Sequence, residues 1–510
     1  DIGRVEESTS NMKRRYTNQK LMFNKLFGKH SVNALLAYEF NDYWFKNVGA
    51  KGTGIVPGFE VLDVTTTPEA VSGGIQEWAV QSYFFNGNYA YDNKYLAQFS
   101  FRRDGASNFG DKAKYGNFFS ISGGWNINKE SWFKYKWVDV LKLRASYGSV
   151  GNRPGALYPQ YSLYSVSKSA SYNKNPGALL AQIGNKDLTW EKTYTTGIGL
   201  DLSIFNRFRL TFDYYNKNTS NLLYNVPVSG LTGVTGIYRN IGKLNNKGFE
   251  LSVGADIIQT KDWHWSIDAN LGHNKNEIKE LYGGKAQIII GDGIGIAGAA
   301  GRLLKPGLDS DSWYIREWAG VNPDNGAPMW YKTVTNTDGT TSRETTSKYA
   351  EADEVVCGAY TPNFFGGFST NLSYKNLSLE AVFGYSVGGK IYNYTRSEYD
   401  SDGAYTDRNQ LKLLSKWKRW EKQGDIATHP VASYNNRTNS NKASSRYLED
   451  GDFLKLRSLT LSYNLQLPKY YIQNMRLFLT GENLFCLTGY SGVDPELPSY
   501  QSQSGSINVV

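Results

Sequence analysis

The chain has 510 residues, a formal net charge of +9, 15% aromatic and 40% hydrophobic residues, and a mean hydropathy of -0.49. No run approaches the roughly 18 apolar residues of a membrane helix, so a helical membrane protein is excluded, while 37 Tyr, 24 Phe and 13 Trp call for burial in something. The 56 basic and 47 acidic residues are scattered, which argues against nucleic acid as a partner, and 4 His with 2 Cys give neither a disulfide framework nor zinc-like spacing.

Taken in chain order, the dominant signal is period-two alternation, the pattern of a strand with two unlike faces. Val32, Ala34, Leu36, Tyr38 and Phe40 form one stripe; Tyr95, Ala97, Phe99 and Phe101 another; Phe119, Ile121, Gly123, Trp125 and Ile127 a third. Leu141, Leu143, Ala145 and Tyr147 follow, then Ile198 to Ile204 and Phe208 to Tyr214. The run GFELSVGADI sets Phe249, Leu251, Val253, Ala255 and Ile257 against Gly248, Glu250, Ser252, Gly254 and Asp256. Trp263 to Leu271, Leu377 to Tyr385 and Leu459 to Tyr463 repeat the pattern, and about fourteen such segments occur along the chain, each near the roughly 9 to 11 residues that a tilted strand needs to cross a bilayer.

The connections alternate in length. Short ones fall at Phe27 to His30, Tyr91 to Lys94, Asn206 to Phe208, Gln259 to Asp262 and Tyr374 to Asn376; long ones at Asn41 to Gln81, Gly148 to Thr189, Lys217 to Asn245, Asn274 to Thr361 and Val387 to Glu449. Short turns at one rim and long loops at the other mark a transmembrane antiparallel β-barrel of the outer-membrane kind. The expectation is all-β, with the apolar stripes facing lipid and Asp201, Asp213, Glu250, Ser252, Asp256 and Asp268 facing a polar lumen. Trp125, Trp263, Trp265 and Tyr463 near strand ends fit interfacial girdles.

Candidate chemistry is sparse. Gly293, Gly295 and Gly298 satisfy G-x-G-x-x-G, but Pro306 and Gly307 break the helix that a dinucleotide site needs, and a glycine-rich loop or lumenal bend is the better reading. Asp309 with Asp311, Glu351 with Asp353 and Glu354, and Asp400 with Asp402 could offer oxygens to calcium, yet none completes an EF-hand loop; solvated loop carboxylates are expected. Gln410 to Gln423 places Leu411, Leu414, Trp417 and Trp420 at helical spacing amid Lys and Arg, the pattern of a helix packed inside a long loop. No catalytic residue, metal site or cofactor is expected. Ligand capture is assigned to exposed rings in the long loops, Trp313, Trp318, Trp330, Tyr331, Tyr394 and Tyr399, since a flat ring stacks on sugar faces and also grips peptides.

The runs SYFFNGNYAYDNKYLAQFSFRRDGASNFG (Ser82 to Gly110), LKLRASYGSVGN (Leu141 to Asn152), LTWEKTYTTGIGLDLSIFNRFRLTFDYYNKNTSNLL (Leu188 to Leu223), GKLNNKGFELSV (Gly242 to Val253) and WYIREWAGVNPDNGAPMWY (Trp313 to Tyr331) resemble SusC/RagA-type TonB-dependent outer-membrane transporters. TPNFFGGFSTNLSYKNLSLEAVFGYSVGG (Thr361 to Gly389) and YLEDGDFLKLRSLTLSYNL (Tyr447 to Leu465) continue the resemblance in order. It implies a barrel of about 22 strands with a plugged lumen in a Gram-negative outer membrane, importing oligosaccharides or oligopeptides, energised by TonB and covered by a SusD-like lipoprotein lid. Paired transporter-lid units are implied as well. On this reading residues 1–510 are the C-terminal part of the barrel, with the plug, the TonB-contacting segment and the first strands outside this chain. Neither a signal-peptide pattern at DIGRVEESTS nor a terminal aromatic strand at SGSINVV is present, as expected of a processed or partial chain. A soluble all-β carbohydrate-binding or carbohydrate-cleaving protein is the alternative, and a passive barrel or adhesin a third reading.

Overall fold

The computed structural model describes residues 3–173, 175–291, 300–467 and 474–497. Gly293, Gly295 and Gly298 of the glycine-rich motif, and the closing SGSINVV, lie outside the described residues. Fourteen strands follow one another in a single sheet in chain order: β1 (Arg4–Phe27), β2 (His30–Thr53), β3 (Thr67–Tyr91), β4 (Tyr95–Ala106), β5 (Tyr115–Asn126), β6 (Val138–Asn152), β7 (Glu191–Ile204), β8 (Phe208–Pro227), β9 (Gly236–Gln259), β10 (Trp263–Glu280), β11 (Phe364–Tyr374), β12 (Leu377–Val387), β13 (Phe453–Gln466) and β14 (Asn474–Thr488). The order runs from β1 to β14 with no pairing between those two, so no closed barrel is formed among the described residues. By contacts it divides into Asp1–Lys134, Lys142–Ile198 and Lys217–Lys243 as one compact unit, and Tyr135–Leu141, Gly199–Asn216 and Leu244–Val510 as the other.

In the first unit the register lines up the apolar stripes. Leu36 pairs with Phe85, Phe85 with Phe101 and Phe101 with Phe119; the other parity carries Asn33, Asn88, Gln98 and Ser122 in one rung. A one-residue slip in any strand would mix these faces, so the pattern fixes the register. The three-residue turn between β3 and β4 has Asp92 and Asn93 at φ of 50° and 51°, left-handed positions that Asp and Asn tolerate better than most side chains. Aromatic rings crowd this rim: Tyr95 Oη and Trp125 Nε1 donate to the Glu130 carboxylate at 2.6 and 3.0 Å, tying polar tips together while Trp132 stays exposed, as rings at a membrane interface do.

β1, β2 and β3 run 24, 24 and 25 residues, against 12 each for β4 and β5. The loop expected over Asn41 to Gln81 is therefore mostly strand: β2 continues to Thr53 and β3 resumes at Thr67. Past Asn41 the consecutive rings Tyr43, Trp44 and Phe45 put aromatics on both faces, and cross-strand partners Arg4↔Thr53 and Gly52↔Pro68 keep the ladder closed. The apolar stripe ends earlier. Phe40 is followed on the same parity by Asp42, held by Arg15, and an ion pair does not sit in hydrocarbon. The lipid band thus closes near Phe40, and the rest of this hairpin projects beyond it. Likewise the loop expected over Lys217 to Asn245 shrinks to the residues between Pro227 and Gly236.

The second unit repeats the two-faced logic. Leu379, Leu461 and Leu479 share one rung, as do Leu377, Tyr463 and Leu477, while Ser378 Oγ and Ser462 Oγ meet at 2.7 Å on the other parity. Trp263 packs on Tyr374 with ring centres 4.4 Å apart at the short-turn rim. The two long connections here are folded. Residues 281–363 contain a four-stranded sheet (Ile288–Ile290, Gly301–Leu304, Ser312–Arg316, Glu354–Ala359) and a three-stranded one (Trp318–Val321, Pro328–Thr335, Thr341–Thr346). Residues 388–452 add the pair Lys390–Tyr392 with Leu448–Asp450 and a short helix, Tyr394–Tyr399. Ala300, Trp313, Ile315, Tyr392, Tyr394 and Tyr447 form their shared core.

Candidate functional site

Three features bear on function, and each is placed by the alternation just described. The first is the polar face of β8–β10. Arg209 Nη1 reaches Asp256 at 2.8 Å, Arg209 Nη2 reaches Asp268 at 3.3 Å, and His264 Nε2 lies 3.3 Å from Asp256. Two of the acids expected in the lumen thus share one surface with a cation that sequence reasoning passed over. Gly254 makes room for them, because a Cβ there would stand 2.5 Å from Asp268 Oδ1 and 2.9 Å from Arg209 Nη2. Asp213 has the parity of Arg209, and Tyr215 of that parity donates to Asn274 at 3.0 Å. Glu250 and Ser252 are exposed on β9, and Asp201 and Asp213 half-exposed on β7 and β8. On the opposite parity Phe212 stacks with Phe249 at 6.2 Å, and Phe249 with His273 at 5.5 Å, so the polar and aromatic faces stay separate. A cleft of about 430 Å³ opens beside Arg209, Ser252, Asp268 and Asn270.

The second is the folded loop module of residues 281–363 and 388–452. Its six sequence-predicted rings divide. Trp313 and Trp330 have no exposed surface and Tyr394 is 4% exposed; the expectation of accessible rings gives way for these three, because each fills the module's interior. Trp313 Nε1 donates to the Lys390 carbonyl at 2.8 Å, and Trp330 lies edge-on between Trp318 and Tyr349. Trp318 and Tyr331 are half-buried and Tyr399 is exposed, with the Arg343 guanidinium 3.6 Å from the Tyr331 ring centre.

Asp400 and Asp402, expected as solvated carboxylates or calcium ligands, are instead buried and ion-paired. Asp402 accepts from Arg419 Nη1 at 2.7 Å and from both terminal nitrogens of Arg446; Asp400 accepts from His429 Nε2 at 2.9 Å and Arg396 Nε at 3.1 Å. Burial pushes the Asp400 carboxyl up, but the His429 hydrogen bond and the charges of Arg446 and Arg396 outweigh it and hold the group below the ordinary carboxylate value. Asp309 goes the other way: burial raises it above the usual range, against hydrogen bonds from the Asp311 backbone and Thr361. The helix expected over Gln410 to Gln423 does not form. Its side chains are claimed by distant partners: Arg396 sits 4.3 Å from the Trp417 ring centre, and Trp420 Nε1 donates to the Pro323 carbonyl at 2.9 Å. Helical spacing is a weak prior that tertiary contacts override.

The third feature lies in the first unit, on the projecting part of β1–β3. A cleft of about 1060 Å³ is lined by Lys13, Arg14, Tyr43, Trp78, Tyr158 and Tyr161 among others. The sequence does not single it out, because residues 41–81 read there as a loop. The available signal was the aromatic run Tyr43, Trp44 and Phe45, a composition that favours strand over solvated loop.

A two-faced antiparallel sheet with short turns and a girdle at one rim, and long folded connections at the other, defines an outer-membrane strand assembly. The profile of the family described as TonB dependent receptor-like, beta-barrel matches residues 4–353, and the chain belongs to that family, in its SusC/RagA type. It is 31% identical over 500 residues to TonB-dependent receptor P3 of Formosa agariphila, covering 93% of this chain and 48% of that protein. It is 27% identical over 447 residues to TonB-dependent receptor SusC of Bacteroides thetaiotaomicron, covering 82% and 41%. Among solved structures, the RagAB peptide transporter superposes with a TM-score of 0.83 at 27% identity, over 96% of this chain and 53% of that one. The chain spans about half the length of these relatives. They are receptors and transporters, not enzymes, and the family places this chain in a Gram-negative outer membrane.

Proposed function

We propose that residues 1–510 are the C-terminal part of a barrel of about 22 strands in an active importer of large nutrients, oligosaccharides or oligopeptides. Lumen-facing Asp201, Asp213, Glu250, Ser252, Asp256 and Asp268 keep a passing substrate hydrated, and the accessible loop rings Trp318, Tyr331 and Tyr399 contact it. Energy enters from TonB through a segment and plug encoded ahead of this stretch, and a SusD-like lipoprotein closes over the loop module, with two transporter-lid pairs forming the assembly. The observation that carries the reading is the separation of faces at Arg209, Asp256 and Asp268, which gives the sheet a charged wall that water must reach and an apolar wall that lipid can cover. Relatives named as TonB-dependent receptors and as a peptide transporter support it.

The test is uptake of fluorescent oligosaccharides and oligopeptides by cells carrying the complete gene, with and without an uncoupler. Energy-dependent accumulation of one class, lost on deletion of the gene, is expected. Accumulation equal in the deletion strain, or indifferent to the uncoupler, overturns active import.

A further inference from the structure

We propose that the projecting part of β1–β3 carries a binding site for acidic oligosaccharides; this rests on the import reading and adds its substrate class. Tyr43 is the cross-strand partner of Arg14 on one side and of Trp78 on the other, so the three side chains share one face. Tyr43 and Trp78 lie with ring centres 5.7 Å apart and planes 12° from parallel, and Phe45, two residues along, continues the row at 6.4 Å and 7°. Three near-parallel rings make an even strip, and two of them, Tyr43 and Trp78, line the cleft of about 1060 Å³. A sugar ring lays its apolar face on such a surface. An extended peptide, whose side chains alternate, asks instead for separate pockets along a strand.

The charge around the strip is positive and unspent. Arg14 Nε donates only to the Asn41 side chain at 3.1 Å, and Arg153 bonds Asn108 Oδ1 at 2.7 Å with its guanidinium 4.6 Å from the Trp78 ring centre. Neither meets a carboxylate among the described residues. Of the cleft's two acids, Asp42 is already held by Arg15, and Glu77 points to the opposite face from Tyr43, since its strand partner is Trp44. A guanidinium fork takes a carboxylate or sulfate through two parallel hydrogen bonds, so a uronate- or sulfate-bearing sugar chain fits both the rings and the cations.

The full-length protein in detergent is titrated calorimetrically with oligogalacturonate, with a neutral malto-oligosaccharide of equal length and with oligoglutamate. Oligogalacturonate is expected to bind at least tenfold tighter than either of the others. Arg14→Gln, at an exposed position, should weaken it about tenfold, the loss of about 1.4 kcal/mol, and leave the neutral sugar unchanged; Tyr43→Ser should weaken both sugars. Equal binding of the three probes, preference for oligoglutamate, no binding, or indifference to Arg14→Gln overturns the site. If binding holds but no probe accumulates in energised cells, the import reading falls and the site stands; if sugars accumulate without acidic preference in binding, the reverse follows.

Discussion

Replacing Arg446 by methionine tests whether the ion network organises the loop module. The guanidinium is 2% exposed. It binds both oxygens of Asp402, with Nη2 to Oδ1 at 3.2 Å, and stands 3.6 Å from Asp400 Oδ1. Removing one partner of a buried pair leaves an uncompensated charge and costs about 3–5 kcal/mol. Here the acids keep other partners, Arg419 on Asp402 and His429 with Arg396 on Asp400, so the lower end applies. About 3 kcal/mol raises the open population of the module on the order of 100-fold. Limited proteolysis of the full-length protein in detergent reads that population when opening is fast relative to cleavage. Cleavage between Tyr394 and Asp452 should accelerate by about that factor, with the membrane strands resistant. Arg457→Met, which removes a half-exposed partner of Glu496, should leave the rate near wild type, because exposed pairs contribute little. Cleavage of the Arg446 variant at the wild-type rate would refute the reasoning.

A charge on the apolar parity should be far costlier than one a residue away: Leu461→Arg is expected to lose about 2–4 kcal/mol of folding stability in lipid while Thr460→Arg loses less than about 1, and equal urea midpoints in vesicles would contradict the assigned faces. Asp400, depressed in the folded state, stabilises the module fully above the ordinary carboxylate pKa of about 4 and loses that contribution as pH falls through its folded value. Pepsin cleavage of residues 394–452 should therefore climb as the pH is lowered below about 4, and a rate explained by pepsin's own profile alone would count against the network. Burial pushes the Cys357 thiol up to about 11, so iodoacetamide should label it far more slowly at pH 8 in the folded protein than after denaturation. Labelling at the rate of a free thiol, which has a pKa of about 8.5, would mean the Glu354–Ala359 strand is open.

Much of the membrane portion is legible from alternation, because the period-two signal is local: Leu377 to Tyr385 reads the same whether or not Leu459 to Tyr463 lies beside it, and the structure pairs them in that register. The short turns are legible for the same reason, since Asp92 and Asn93 carry their left-handed preference with them. Only the tertiary structure decided the rest. Alternation does not say where lipid ends, so the Asn41 to Gln81 stretch reads as loop in the sequence although the strand register runs through most of it. Asp400 and Asp402 look solvated until Arg446 and His429, 29 to 46 residues away in sequence, arrive to pair them. Trp313, Trp330, Trp417 and Trp420 owe their positions to partners in other loops. A strand's two faces are written in consecutive residues, whereas a loop's burial depends on which distant segment supplies the charge or the carbonyl it needs.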